Sequence, residues 1–318
     1  MIEVNIFIEG VMIDEFFKSF GFISREEIIS YVVNELKRGY VYTHNGKEFH
    51  ADEVFGLALL DIFRKSYNEK KGKEILPAFK VIRERGIKNV GLKIDVDETV
   101  FDHHFPKNKA AFRKNGIQYA TAGLLWYVLG PELVPERFVE TIDFSIFQKI
   151  DACDNGQELE SQYSDMVSSF NLFWNEENIT LESQMQKAID FATIILERKI
   201  KEYNSIELAK EFVRSSYENA KDKRIIVLQK AMNWQEVLVP TEAIFVIWQN
   251  DKEWCCQAVP IAVGSFELKK GFNPNWRGFR NEQLQEISGL DLIFCHSTGF
   301  YLVAKTKEAA IAACNQSL

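Results

Sequence analysis

Between Asp52 and about Tyr67 the sequence carries a helix with almost no polar face. Val54, Phe55, Leu57, Leu59, Leu60, Ile62 and Phe63 leave hardly any side of it for water, so it must be packed all round. Just upstream, Gly39-Tyr40-Val41-Tyr42-Thr43 reads as a buried strand, and His44-Asn45-Gly46 leaves its C-terminal end as a loop. A buried strand, a loop and a buried helix in that order form the repeating unit of a parallel α/β sheet. That unit places functional side chains at the carboxyl edge of the strands. A second inner strand is expected at Val90-Gly91-Leu92-Lys93-Ile94, delivering Asp95 at its end, with the polar Lys73–Arg85 segment before it read as helical.

The flanking segments are arranged around that core. Residues 1–40 form an N-terminal extension: Val4, Ile6 and Ile8 alternate as in a strand, and amphipathic segments follow at Met12–Phe20 and Ser24–Arg38. Ser24 with Glu27 resembles a capping box. The extension reads as a packing or self-association element, which makes a homo-oligomer one expected partner state. Gln118–Leu129 is an apolar helix stopped at Gly130-Pro131, and Pro135 opens another through about Asp151. Leu181–Tyr203 and Ser205–Asp222 read as two helices of a connection that separates two domains. Arg224–Leu228 and Leu292–Cys295 read as strands, Ala243–Trp248 with Trp254–Val259 as a hairpin, and Lys305–Cys314 as a closing helix. The expected division is 41–170 for a catalytic domain, 171–232 for the connection and 233–318 for a C-terminal domain.

The chemistry is concentrated. Of five histidines, four (His44, His50, His103 and His104) lie between Val41 and His104, each pair beside acidic residues: Asp52 and Glu53, then Asp95, Asp97, Glu98 and Asp102. Imidazole with carboxylate is the ligand set of a divalent transition-metal site. A strand-end carboxylate such as Asp95 has two oxygens and can bridge two ions. Adjacent side chains in extended backbone point opposite ways, so His103 and His104 are expected to diverge, one to metal and one to substrate. Asp102 can orient an imidazole from behind. Taken singly, Asp52 reads as a helix cap, His50 as a loop histidine, and Asp151-Ala152-Cys153-Asp154-Asn155-Gly156 as a turn. Downstream, Arg277 and Arg280 can fork onto phosphate oxygens, or else stand solvated beside a packed Trp276. His296 sits at a strand end and is read as substrate-facing. The set as a whole reads as a two-metal phosphoester hydrolase.

Charge and composition bound the partners. Acidic residues outnumber basic ones 46 to 38, for a net charge of −8. That argues against broad capture of duplex nucleic acid but leaves room for a short single strand, because bound cations offset local carboxylates. No apolar run reaches the ~18 residues of a membrane span, so no membrane is expected. The five cysteines show no Cys-x-x-Cys pair, and the N-terminus shows no secretion signal. The expected compartment is the cytoplasm or, in a eukaryote, also the nucleus or mitochondrion.

In order, the motifs are His44-Asn45-Gly46…Phe49-His50-x-Asp52-Glu53, Asp95, Asp102-His103-His104, Asp151-x-x-Asp154-Asn155-Gly156, Trp276-Arg277-Gly278-Phe279-Arg280 and His296-Ser297-Thr298-Gly299-Phe300. Together they resemble the melanocyte-proliferating-gene exonuclease family, a metal-dependent hydrolase branch of the DHH phosphoesterase superfamily, over roughly residues 40–318. The resemblance implies an α/β fold: a doubly wound, mostly parallel DHH-type N-terminal domain, a smaller α+β C-terminal domain, and a cleft between them. It implies two divalent ions, and mixed imidazole and carboxylate ligation puts manganese ahead of magnesium. His44, His50 and Asp95 would hold one; Asp52, Asp95, His103 and either Asp151 or, by preference, Asp154 the other. His104 would meet the scissile phosphate, with Asp95 and His104 as the catalytic pair. Arg277, Arg280 and His296, with Ser297 and Gly299 of the same motif, would bind substrate.

The implied activity is 3′-5′ removal of nucleotides from short single-stranded RNA or DNA. The rival readings are a phosphohydrolase of pyrophosphate, a cyclic dinucleotide or a nucleoside phosphate, and a metal-bound scaffold without turnover. Three departures from the family pattern stand out. Lys47-Glu48 lengthens the first motif by one residue. Val96-Asp97-Glu98 replaces a usual Val-Gly-Gly. Tyr301-Leu302-Val303 replaces a Gly-Gly-His run, so bulk stands where a nucleotide would have a glycine-lined approach.

Overall fold

The structure, a computed structural model, describes residues 10–86 and 91–318. The alternation at Val4, Ile6 and Ile8, and Val90 of the second inner strand, lie outside the described residues. The chain divides into two compact units, Met1–Tyr203 and Asn204–Leu318. It is a mixed α/β protein with parallel strand pairs in both. Among the described residues no helix is long and apolar enough to cross a membrane.

The N-terminal unit opens with β1 (Val11–Met12), α1 (Ile13–Ser19) and α2 (Arg25–Leu36). Ser24 caps α2, its hydroxyl accepting from the Glu27 amide at 3.3 Å, while the Glu27 carboxylate accepts from Ile23 N at 2.8 Å. Next come β2 (Tyr40–Thr43), α3 (Ala51–Lys71), β3 (Lys80–Arg83) and β4 (Leu92–Lys93). The sheet order is β3-β2-β4 and all pairs are parallel, with Tyr40 opposite Lys80 and Val41 opposite Leu92. α3 is buried from Ala51 to Leu60, as its apolar wrap requires.

The helix expected over Lys73–Arg85 does not form. Pro77 has no amide hydrogen to give a helix, and residues 80–83 pair with β2 instead. Asn68 shapes that turn by accepting from Ile75 N and Leu76 N, both at 2.9 Å.

β5 (Ala111–Phe112) pairs in parallel with β1, which fastens the extension to the unit. α4 (Thr121–Leu133) runs through the expected stop at Gly130-Pro131 and ends with Val134 N bonded to Gly130 O at 3.0 Å. α5 (Glu136–Ile142), a π-helical turn (Asp143–Phe147) and α6 (Gln148–Asp154) form one continuous rod ending at Asp154. α7 (Gln162–Ser168) and α8 (Leu181–Glu218) complete the helices that begin in this unit. α8 is a single helix across the break expected at residue 204, since Asn204-Ser205 contains no proline or glycine to stop the ladder.

The C-terminal unit is a five-stranded sheet of order β6-β7-β8-β10-β9. In chain order its elements are β6 (Ile225–Leu228), α9 (Gln235–Leu238), β7 (Phe245–Asn250), β8 (Glu253–Ala258), α10 (Asn281–Ser288), β9 (Leu292–Cys295), β10 (Tyr301–Ala304) and α11 (Lys307–Ser317). β6 and β7 are parallel and the remaining pairs antiparallel, including the expected hairpin. Alternate residues feed two apolar clusters, one around Phe245, Phe272 and Trp276, the other around Val246, Trp234 and Leu238.

The extension is integral to the N-terminal unit. Phe17 is only 2% exposed, lies edge-on to Phe101 at 6.2 Å and stacks on Tyr127 at 6.0 Å. Phe17→Ala should therefore cost about 3–5 kcal/mol of stability in chemical denaturation. A loss below about 1 kcal/mol would mean the extension only drapes over the surface.

Candidate metal centre

Four separate segments deliver the titratable groups. His44 leaves the end of β2, and Asp52 and Glu53 occupy the first turn of α3, both fully buried. Asp95 follows β4, and Asp154 ends α6. Asp102, His103 and His104 lie in the loop between β4 and β5. Their donor atoms form three groups, each within 4.8 Å: His44 with Glu53 and Asp95; Asp95 with Asp102, His103 and His104; and Asp52 with His103 and Asp154. Asp95 belongs to the first two and His103 to the last two, so the donors form a continuous chain.

The surroundings fix how each group points. His103 Nε2 lies 3.1 Å from Asp154 Oδ2, 3.4 Å from Asp95 Oδ1 and 3.8 Å from Asp52 Oδ2. Its Nδ1 is 3.2 Å from Asn155 Oδ1. The Asn155 amide donates to the carbonyls of Asp151 and Gln118, so its oxygen must be the acceptor and the ring hydrogen sits on Nδ1. Nε2 is thereby left for a cation. Asp52 accepts from the amides of Thr121 (3.0 Å) and Ala122 (2.6 Å), the first two residues of α4. Thr43 Oγ1 donates to Glu53, and His50 N donates to the same carboxylate at 3.3 Å.

Arg83 approaches Glu53 to 3.7 Å and donates to the carbonyls of Gly46 (2.9 Å) and Glu48 (3.0 Å), so one guanidinium holds the His44–Glu48 loop. His44 Nδ1 accepts from Gly46 N at 3.0 Å, and a Cβ on Gly46 would stand 2.8 Å from that nitrogen, which requires glycine there.

Two buried atoms test whether cations fit. His44 Nε2 and Asp95 Oδ1 have no well-directed hydrogen-bond partner, although His44 Nε2 is 2.8 Å from Glu53 Oε1 and 3.5 Å from Asp95 Oδ2. Divalent cations satisfy such atoms; at His44 this requires the ring hydrogen to move from Nε2 to Nδ1, giving up the bond from Gly46 N. Protonation points the same way. Burial, then the neighbouring carboxylates, push Asp52 well above the ordinary carboxylate value. Burial also raises Asp154, against the pull of His103. Burial opposes charging of His103, yet Asp95, Asp52 and Asp154 outweigh it and lift the imidazole to about 10. Without a cation, the cluster retains protons.

The structure places the expected residues unevenly. His44, Asp52, Asp95, His103 and Asp154 converge. His50 stands at the rim, its side chain 56% exposed and Nδ1 3.8 Å from Asp154 Oδ1. Asp151 faces elsewhere: it lies 2.7 Å from Arg113, which also binds Asp143, and it accepts from Gly123 N at 3.2 Å.

His103 and His104 do not diverge. Their ring centroids are 4.3 Å apart, because residues 102–105 form a turn rather than a strand, with Phe105 N bonded to His103 O. His104 is exposed, and Asp102 orients it at 2.7 Å, as expected of that carboxylate. The pull of His104, whose ring and amide donate to it, keeps Asp102 ionised despite burial. Asp97 points away, paired with Lys93 at 2.8 Å.

Sequence reasoning missed Glu53 as a donor, and also Asn155 and Arg83. Only Glu53 carried a signal, as the second acid after His50. Phe16 and Phe20 of the extension pack against Phe105, beside His104.

The downstream motifs lie in the C-terminal unit. Arg277 donates to Phe272 O at 3.0 Å and lies against Gly299, where a Cβ would come within 2.5 Å of its Nε; Gly299 also has φ +74, which favours glycine. Arg280 lies over the Phe294 ring at 5.2 Å. His296 contacts Thr298 Oγ1 at 3.0 Å and meets Phe300 edge-on, and Ser297 is exposed.

The family model MYG1_exonuc, described as Uncharacterised protein family (UPF0160), matches residues 40–318. A MYG1 protein of Schizosaccharomyces pombe is 28% identical over 320 residues, covering 87% of this chain and 97% of its own length. A MYG1 protein of Dictyostelium discoideum is 27% identical over 313 residues, covering 85% and 94%. A MYG1 exonuclease of Homo sapiens is 25% identical over 320 residues, covering 87% and 85%.

Two outcomes are expected. The first concerns pH. Asp52 and Asp154 titrate above their unfolded value, and His103 holds its proton to about 10. The metal-stripped folded state therefore binds more protons than the unfolded chain, so its stability falls as pH rises from about 5 to 9. Divalent cations replace those protons, so the rise in Tm on adding Mn2+ should widen over the same range. A stripped-protein Tm that climbs with pH there would contradict the cluster.

The second concerns strain. Asp97 (φ 61) and Glu98 (φ 50) take left-handed backbone where glycines would be at ease. Glu98→Gly should raise stability by about 1 kcal/mol in thermal unfolding, and a loss would show the backbone there is unstrained.

Proposed function

This chain belongs to the MYG1 exonuclease family, and from that membership and its site we propose a phosphodiesterase that removes nucleotides from the 3′ end of short single-stranded RNA or DNA. The observation that carries the reading is the convergence of His44, Glu53, Asp95, Asp52, His103 and Asp154 from separate segments, with orphaned buried atoms among them. We place the N-terminal unit among doubly wound DHH-type domains on the same grounds.

Divalent cations held by these residues supply Lewis acidity and a water activated near neutral pH. The mixed imidazole and carboxylate donors suit manganese better than magnesium. Asp95, which two donor groups share, would serve both cations, and His50, its Nδ1 3.8 Å from Asp154 Oδ1, would join at the rim. Asn155 fixes the His103 ring, and Asp52 is held in place by the start of α4. His104 has its Nδ1 tied to Asp102, so its exposed Nε2 is free to give a proton to a phosphoryl or leaving oxygen. Arg277, Arg280 and His296, with Ser297 and Gly299 shaping the loop, bind substrate phosphates or bases.

The net charge of −8 and Tyr301 in β10 favour a second substrate class, small phosphoesters or pyrophosphate. Turnover separates the two: mononucleotides released from an end-labelled oligoribonucleotide with Mn2+, against phosphate released from small substrates. Asp95→Ala should abolish turnover, and His104→Ala should lower kcat by roughly 10²–10⁴ while bound metal is retained. Full turnover in Asp95→Ala would overturn the assignment, and metal-loaded wild-type protein that cleaves no phosphoester would leave a scaffold.

A further inference from the structure

The loop between α7 and α8 holds aromatic side chains in the open. Trp174 is 97% exposed and Phe173 62% exposed. The loop itself is anchored. Asn171 accepts from Phe49 N at 3.0 Å and donates to Phe49 O at 2.9 Å, a two-way amide-to-backbone clasp. Phe170 packs on Phe191 of α8, and the Glu176 carboxylate accepts from Phe173 N at 2.8 Å. Firmly held backbone that presents two solvated rings is a surface prepared for a ligand.

Its position names the ligand. Phe49 is the neighbour of His50, which faces Asp154 at the rim of the candidate centre. Trp174 lies three residues from Asn171, at most about 11 Å along the chain. The loop that carries the rings is thus clasped to the chain one residue from the rim of the centre, a separation that a short strand can span. Charge excludes other occupants. From Gln157 to Gln186 there is no lysine or arginine, while Glu158, Glu160, Asp165, Glu176, Glu177 and Glu182 are acidic. Such a segment draws no phosphate, whether of a membrane, a duplex or a single strand, so what its rings can hold is an unpaired base whose phosphate is held elsewhere, at the cation-loaded centre. The π-face of a base is recognised without charge, and aromatic side chains stack on any base.

We propose that Phe173 and Trp174 form a stacking platform for the bases of a single-stranded nucleic acid whose phosphodiester lies at the metal centre. The proposal rests on the function proposed above and assigns part of its substrate site.

The test compares two oligomers of equal length with Mn2+ present, one carrying bases and one abasic throughout. Trp174→Ala should raise KM for the base-bearing strand roughly tenfold or more, leave KM for the abasic strand nearly unmoved, and be largely rescued by Trp174→Phe. Equal changes on both strands, or none, would overturn the platform.

Binding is read separately from turnover. Adding the base-bearing strand should quench tryptophan fluorescence in wild type, and most of that quenching should vanish in Trp174→Phe. If wild-type protein binds and quenches but cleaves nothing, the hydrolase reading fails while the platform stands. If the strand is cleaved without quenching that depends on Trp174, or if the variant instead abolishes self-association in gel filtration, the platform fails while the hydrolase stands.

Discussion

Asp52 is the joint on which the N-terminal unit turns. Its carboxylate is fully buried, sits in the first turn of α3, and accepts from the two leading amides of α4. The positive end of α4 thus meets a negative side chain from another helix, which fixes the spacing of two largely buried helices, α3 and α4. The same carboxylate faces His103, and through it Asp95 and Asp154. Burying so many acids together is unfavourable unless positive charge joins them. Arg83 offsets part of this at Glu53, and Arg113 offsets Asp151 and Asp143 on the other side of α6. Among the described residues, the ion pairs of Asp52, Asp95 and Asp154 are all with histidines. Protons or metal ions must therefore complete the group.

The loop that carries Asp95 to His104 is held by unusual means. Asp95, Asp97 and Glu98 all take left-handed backbone, and the turn closes with Asp102 accepting the Glu98 amide at 2.7 Å. Such conformations persist when the surroundings over-determine them. Here the surroundings include the extension: Phe17 packs against Phe101, and Phe16 and Phe20 against Phe105. The family match begins at residue 40, so this support comes from outside the matched segment. Aromatic contacts from the extension bracket the very residues whose geometry the chemistry requires.

Much of this was legible in the sequence because it obeys local rules. The all-apolar run after Asp52 could only be a buried helix, and the strand before it could only be an inner strand. The clustering of histidines and acids located the centre without any knowledge of distances. Where local rules failed, tertiary pairing had taken over. Residues 73–85 have helical composition, but Pro77 and the open edge of β2 drew residues 80–83 into a strand. The expectation that His103 and His104 diverge assumed a pleated strand, and the chain turns there instead. Asn155 and Arg83 were invisible because their roles are defined only by what lies opposite them: a ring nitrogen for one, two carbonyls and a carboxylate for the other.

The neighbouring histidines also show how one motif can divide labour. Both rings approach Asp95 Oδ1, at 3.4 and 3.6 Å, so distance alone does not separate their roles. Their partners do. His103 Nδ1 faces a neutral amide oxygen, is buried, and turns Nε2 towards three carboxylates. A cation at Nε2 would take the place of the proton those carboxylates otherwise hold there, and the neutral ring it would need is the one the Asn155 amide supports. His104 Nδ1 faces an ionised carboxylate and its ring is exposed. A carboxylate partner fixes the tautomer and orientation of the ring, which suits a group that carries a proton to and from a solvent-facing reactant. In the proposed chemistry, the division between ligand and proton carrier would thus be set by Asn155 and Asp102 behind the rings, not by the histidines themselves.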